Sequence, residues 1–133
     1  MNAPTPEFAS STSRARRLVD ASNIAMRWKA LMEAGQVVAM LAGLEAERPS
    51  AAIRDFPSLI RGSEPWRQDL ADNGCADLAA VMEPGISALL AINARGTDCR
   101  PAAQALWREF AAGRSALLAL LPPVREAESP RSA

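Results

Sequence analysis

Gly74–Gly96, GCADLAAVMEPGISALLAINARG, carries only three charged residues, Asp77, Glu83 and Arg95. Wound as a helix, the stretch places apolar side chains on nearly every face, and a helix of that kind is normally enclosed by others. It therefore predicts an all-α domain with this segment at its centre. Asp77 near the start suits the positive end of the helix dipole, and Gly96 suits the C′ position. Pro84 breaks the pattern. It removes the hydrogen bond to the carbonyl of Ala80 and predicts a kink, and Gly85 beside it lets a neighbouring helix come close.

Composition agrees with helices. Of 133 residues 49% are hydrophobic, alanine is the commonest, and there is no Tyr. Strand-favouring residues are scarce and no segment keeps a two-residue alternation. The length matches one domain able to bury a core without disulfides or a metal.

Downstream, Thr97 is positioned to cap a helix over about 98–121, with a stripe of Leu106, Phe110, Gly113, Leu117 and Leu121 that Pro122-Pro123 close. Upstream, Ser63-Glu64-Pro65 has the form of a helix start, and the following WRQDLAD is expected to pause at the turn dipeptide Asn73-Gly74. Ser50 caps a short turn, AAIRDF, that Pro57 interrupts before a second, SLIRG. Ile53, Phe56, Leu59 and Ile60 should fold this connector down onto the helices. From Arg14 to about Ala46 no proline intervenes, and Leu18, Ala21, Ala25, Trp28, Leu31, Met32, Val38, Leu41 and Leu44 step by three or four, giving a long helix that Pro49 stops. The prediction is a compact helical bundle of three main helices (about 14–46, 75–95 and 98–121) with two or three short connecting helices. A single domain over 13–122 is flanked by tails, 1–12 and 123–133, too polar and Pro/Ser-rich to offset ordering entropy.

Several chemistries are disfavoured. Fifteen basic residues balance fifteen acidic ones, so the footprint of a nucleic-acid binder is missing. All the basic residues but Lys29 are arginine, a bias that abundant alanine links to GC-rich, bacterial codon usage. The cluster Arg14, Arg16, Arg17, Arg27 and Lys29 opens a long helix, and the connector 50–73 offers a helix-turn-helix only Arg67 and Gln68 as reading groups. With no histidine, the commonest general base and metal ligand is gone. Asp69, Asp72, Asp77 and Glu83 form an acidic run without matching inward acids elsewhere, which reads as a solvated face. Cys75 and Cys99 bracket the central helix, ~30 Å apart if it is continuous, beyond the ~7 Å a disulfide allows. Gly-rich phosphate loops and a GxSxG elbow are absent. No run reaches the ~18 uncharged apolar residues of a membrane span, and the N-terminus lacks the order of a signal peptide.

What remains is a non-enzymatic, cytoplasmic interaction protein (an adaptor, small chaperone or regulatory subunit) acting on another protein, with no catalytic set, cofactor or metal. The segment 70–90, LADNGCADLAAVMEPGISALL, is similar in its Leu/Ala/Gly spacing to the helix pairs of small flagellar export chaperones, a likeness confined to those residues. The alternative is a small-ligand binder with a pocket at Met82, Pro84 and Gly85 beside the kink. Trp66 with Arg67 is the candidate contact patch, since exposed aromatic and Arg side chains are favoured hot spots. Gly35, Ala39 and Gly43 recur every four residues and leave one side of their helix without bulk. That side is either close packing inside the domain or the seam of a homodimer.

Overall fold

The structure, a computed structural model, describes residues 6–123, with side chains described over 23–123. Among the described residues four helices pack against one another: α1, Pro6–Leu41; α2, Ala51–Arg61; α3, Pro65–Ala94; and α4, Arg100–Leu118. No strand occurs among the described residues, and the domain is a compact all-α bundle. Gly74 meets Leu117, Gly113 meets Leu78 and Gly85 meets Leu106, so α3 and α4 run antiparallel. α4 also opposes α1, whose Gly35 lies under Phe110 and whose Ala42 carbonyl accepts from Gln104. Both being antiparallel to α4, α1 and α3 run parallel, and Arg27 pairs with Asp72 across them at 3.1 Å. α2 is the return path between them.

The ends differ from expectation for local reasons. α1 begins at Pro6, inside the segment expected to be a tail; residues 1–5 and 124–133 lie outside the described ones. It stops at Leu41 rather than near Ala46, because Gly43 turns to φ 76° and closes a Schellman motif. In that motif the Gly43 N–H donates to the Met40 carbonyl (3.1 Å) and the Leu44 N–H to that of Ala39 (2.9 Å). Gly96, at φ 77°, ends α3 in the same way. The residue before Pro65 is the N-cap of α3, so Glu64 replaces Ser63 in that role. The Ser63 hydroxyl instead donates to the Ile60 carbonyl at 2.6 Å, finishing α2. Thr97 is not the cap of α4; Cys99 is, while the Asp98 carboxylate accepts the Arg100 N–H at 3.0 Å.

Two predicted interruptions do not occur. Asn73-Gly74 is no turn: α3 passes through it, and the missing side chain of Gly74 makes room for Leu117. α2 is one helix through Pro57, started by Ser50, whose hydroxyl accepts the Ile53 N–H at 3.2 Å. A proline at 57 leaves the Ile53 carbonyl without its helical donor. The indole N–H of Trp28 donates to that carbonyl at 2.7 Å, and the Trp28 ring stacks on Phe56 with centroids 4.1 Å apart. One side chain of α1 thus repairs the ladder of α2 and anchors it.

The largest correction concerns α3. It is not enclosed. Its buried residues, Ala71, Cys75, Leu78, Met82 and Leu89, form a single stripe, while Leu70, Val81 and Leu90 remain exposed. Three other helices of this size cannot surround a 30-residue helix, so apolar composition on every face gives no guarantee of burial on every face. Pro84 lies on the open side. Ala80 is exposed as well, so water can reach the carbonyl that Pro84 leaves free. The core is centred on Val38, Phe56, Ile60, Cys75, Met82 and Phe110, and no polar or charged residue is buried among the described residues.

Candidate functional site

One concavity is lined by no residue of α3, the helix that carries Pro84. α1, the loop after it, α2 and α4 enclose a cleft of about 1040 Å³. Its wall along α1 runs from Ala25 to Met40, about 22 Å at the helical rise. The cleft exists because α1 turns small residues toward it. Ala25 and Ala39 line it with short side chains, and Gly35 lets the Phe110 ring lie directly on the backbone.

The floor is aromatic and aliphatic: Trp28, Met32, Ile53, Pro57, Trp107 and Phe110. Trp107 and Phe110 are tilted neighbours with centroids 5.3 Å apart. The Arg114 guanidinium lies 5.6 Å from the Trp107 ring centre and 5.2 Å from that of Phe110, and it pairs with Glu47 at 3.1 Å. That pair ties α4 to the loop leaving α1, and Gln104 holds the same loop through the Ala42 carbonyl at 3.2 Å. Around the mouth stand Lys29, Gln36, Glu45 and Arg54, of both signs. The floor's indole donor at Trp28 is already given to Ile53. A cleft of this kind selects by shape and apolar contact, with charge acting only at the rim.

Of the residues singled out from sequence, Gly35 and Ala39 line this cleft and the others fall elsewhere. Trp66 is 52% exposed, with the Arg67 guanidinium 4.5 Å over its ring. Arg67 itself is occupied: its Nε donates to Glu64 at 2.6 Å and its Nη1 to the Leu120 carbonyl at 2.8 Å. The hydrogen bond from Arg67, helped by its charge, holds the Glu64 carboxyl below its ordinary pKa. This pair pins the end of α4 to the start of α3, and of the two only Trp66 presents free surface. Met82, Pro84 and Gly85 line neither this cleft nor the groove between α3 and α4. Met82 is buried, Pro84 is exposed, and Leu106 occupies the space over Gly85, where a Cβ would stand 2.7 Å from its Cδ2. Gly35, Ala39 and Gly43 do not share one free face either. Gly35 is covered by Phe110, Ala39 lines the cleft, and Gly43 is the end of the helix facing Arg100.

Nothing in this arrangement forms an acid–base pair or a ligand set. Among the described residues no three His, Cys, Asp or Glu side chains converge as metal ligands would. Cys75 and Cys99 are free and buried. Burial pushes the Cys75 thiol up to about 11, with the Asp72 carboxylate adding to the rise and Arg27 opposing it. Such a thiol is not a nucleophile near neutrality. The cleft itself was missed in the sequence, although the small residues along α1 and the proline inside α2 both pointed to its walls.

Compared with known proteins, the chain matches no family model, no curated protein and no solved structure.

Proposed function

We propose that the protein is a non-enzymatic interaction domain, an adaptor, small chaperone or regulatory subunit, that receives an apolar helical segment of another protein in the cleft between α1, α2 and α4. The form of that cleft carries the proposal. It is open along one side, about four helical turns long, apolar on its floor and charged with both signs at its rim. Helix-in-groove recognition uses surfaces of this shape, read by large apolar residues at i, i+3 or i+4, and i+7. Small-molecule sites instead rely on a few convergent polar groups that fix orientation, and the floor donor at Trp28 is already spent on Ile53.

One observation favours a second reading, a small apolar ligand in the same cleft rather than beside Pro84: the volume, about 1040 Å³, is of the order of large ligand pockets, roughly 300–1,000 Å³. Selection of helical peptides of about 16 residues against the purified chain separates the two. The interaction reading expects binders with that apolar spacing, lost when Ala39→Trp fills the cleft at an unchanged melting temperature. A palmitate-dependent rise in melting temperature that Ala39→Trp removes, with no peptide selected, supports the ligand reading. Peptides that bind Ala39→Trp as well as the parent count against both.

A further inference from the structure

α3 carries more apolar surface than the bundle covers. By length and composition α3 is apolar enough to cross a membrane, and only 22% of its most apolar 18-residue stretch is buried in the bundle. Part of the excess, Leu70 and Val81, lies beside α4. There Gly74 seats Leu117 and Gly113 seats Leu78, so the two helices close on each other and leave a shallow groove of about 460 Å³ outside the contact. The groove runs over Leu70, Val81 and Leu120, and Asp77 and Glu109 stand on its walls. Leu70 and Val81 are 47% and 40% exposed.

Charge decides what fits. From 68 to 94 the chain has Asp69, Asp72, Asp77 and Glu83 and neither Lys nor Arg. Asp72 pairs with Arg27, whereas Asp77 and Glu109 have no ion-pair partner among the described residues. A second copy docked about a two-fold axis would bring the same acid-bearing patch against itself. An anionic bilayer would repel them, since its surface attracts basic segments. An amphipathic helix with an apolar stripe and basic flanks satisfies both the floor and the walls. We propose that the α3–α4 groove is a docking site for such a basic amphipathic helix of a partner protein. The site differs in place and in partner charge from the cleft between α1, α2 and α4, so the protein can bridge two partners.

The test uses the full chain and two synthetic helical peptides with the same Leu stripe, one flanked by Arg and one by Glu. The Arg-flanked peptide is expected to bind, with affinity falling as salt rises. Val81→Glu should weaken it at least about tenfold, and so should Asp77→Arg with Glu109→Arg, which touches only surface carboxylates and keeps the test valid if Val81→Glu fails to fold. Ala39→Trp should leave this binding unchanged, which separates it from the other cleft. Equal binding of the two peptides overturns the proposal. So does a concentration-dependent dimer that Val81→Glu dissolves, which assigns the groove to a second copy. Co-sedimentation with phosphatidylglycerol vesicles in the absence of peptide binding overturns it in favour of a bilayer.

Discussion

Pro57 and Pro84 both sit inside helices, and each removes one backbone donor. The molecule answers the two losses differently. At Pro57 the orphaned Ile53 carbonyl lies at the half-buried corner between α1 and α2, and the Trp28 indole supplies the missing N–H at 2.7 Å. At Pro84 the orphaned Ala80 carbonyl is on an exposed face, and solvent is available to it. A proline is tolerated wherever its freed carbonyl finds another donor, but only a protein donor links the tolerance to the tertiary structure. The first proline is therefore built into the cleft wall, while the second is a local matter of α3.

The widest separation between the two regions should come from Trp28. Trp28→Ala removes the stack on Phe56, the floor of the cleft and the donor to Ile53, and should cost about 3–5 kcal/mol in urea unfolding. Trp28→Phe is the sharper change, since it keeps a ring beside Phe56 and deletes only the N–H with some volume. It should cost about 1–3 kcal/mol, the range for a partly buried acceptor left unmade. In a Pro57→Ala background residue 57 again has an N–H to give to Ile53, and the cost of Trp28→Phe should shrink. Equal costs in the two backgrounds would break the link between Trp28 and Pro57.

How the sequence could reveal one proline's role and conceal the other's follows from the range of the interaction. The local consequences of Pro84, a lost bond to Ala80 and a small neighbour in Gly85, are legible within five residues. The answer to Pro57 comes from Trp28 on another helix, 25 residues away from Ile53, and no spacing rule connects them. The all-α class, the Ser50 cap and the docking of Phe56 and Ile60 were legible because each is a short-range pattern. The burial of α3 was not, because periodicity reports which faces are apolar and not how many helices exist to cover them. The surroundings of the candidate site residues were hidden for the same reason. The bareness of Gly35 and Ala39 was visible, but whether Phe110 or empty space faced it depends on how α4 returns across α1.

The two sides of α3 allow an intermediate test, because the stripe carrying Cys75 is as dry as the face carrying Pro84 is open. The Cys75 thiol is raised from an ordinary value near 9.0 to about 11, first by burial. The folded chain therefore holds this proton more tightly than the unfolded one. The contribution is complete below pH 9 and is lost as pH rises through about 11. Unfolding free energy should fall across that window. Cys75→Ala should flatten the slope whatever it does to overall stability; an unchanged slope would mean that water reaches the buried side of α3 as well.

The smallest effect should come from Pro84 itself. Proline inside a helix is ~3 kcal/mol worse than alanine, but part of that figure is the unsatisfied carbonyl, and proline also restricts the unfolded chain by about 0.4–1 kcal/mol in favour of the native state. With Ala80 already open to water, Pro84→Ala should stabilise the protein by only ~1 kcal/mol and should leave the seating of Leu106 over Gly85 unaltered, read as an unchanged response to Gly85→Ala. A gain near the full ~3 kcal/mol would mean that Pro84 strains α3 in the native state. The distinction between a proline accommodated by the fold and one accommodated by water would then have to be redrawn as one between a relieved strain and a retained one.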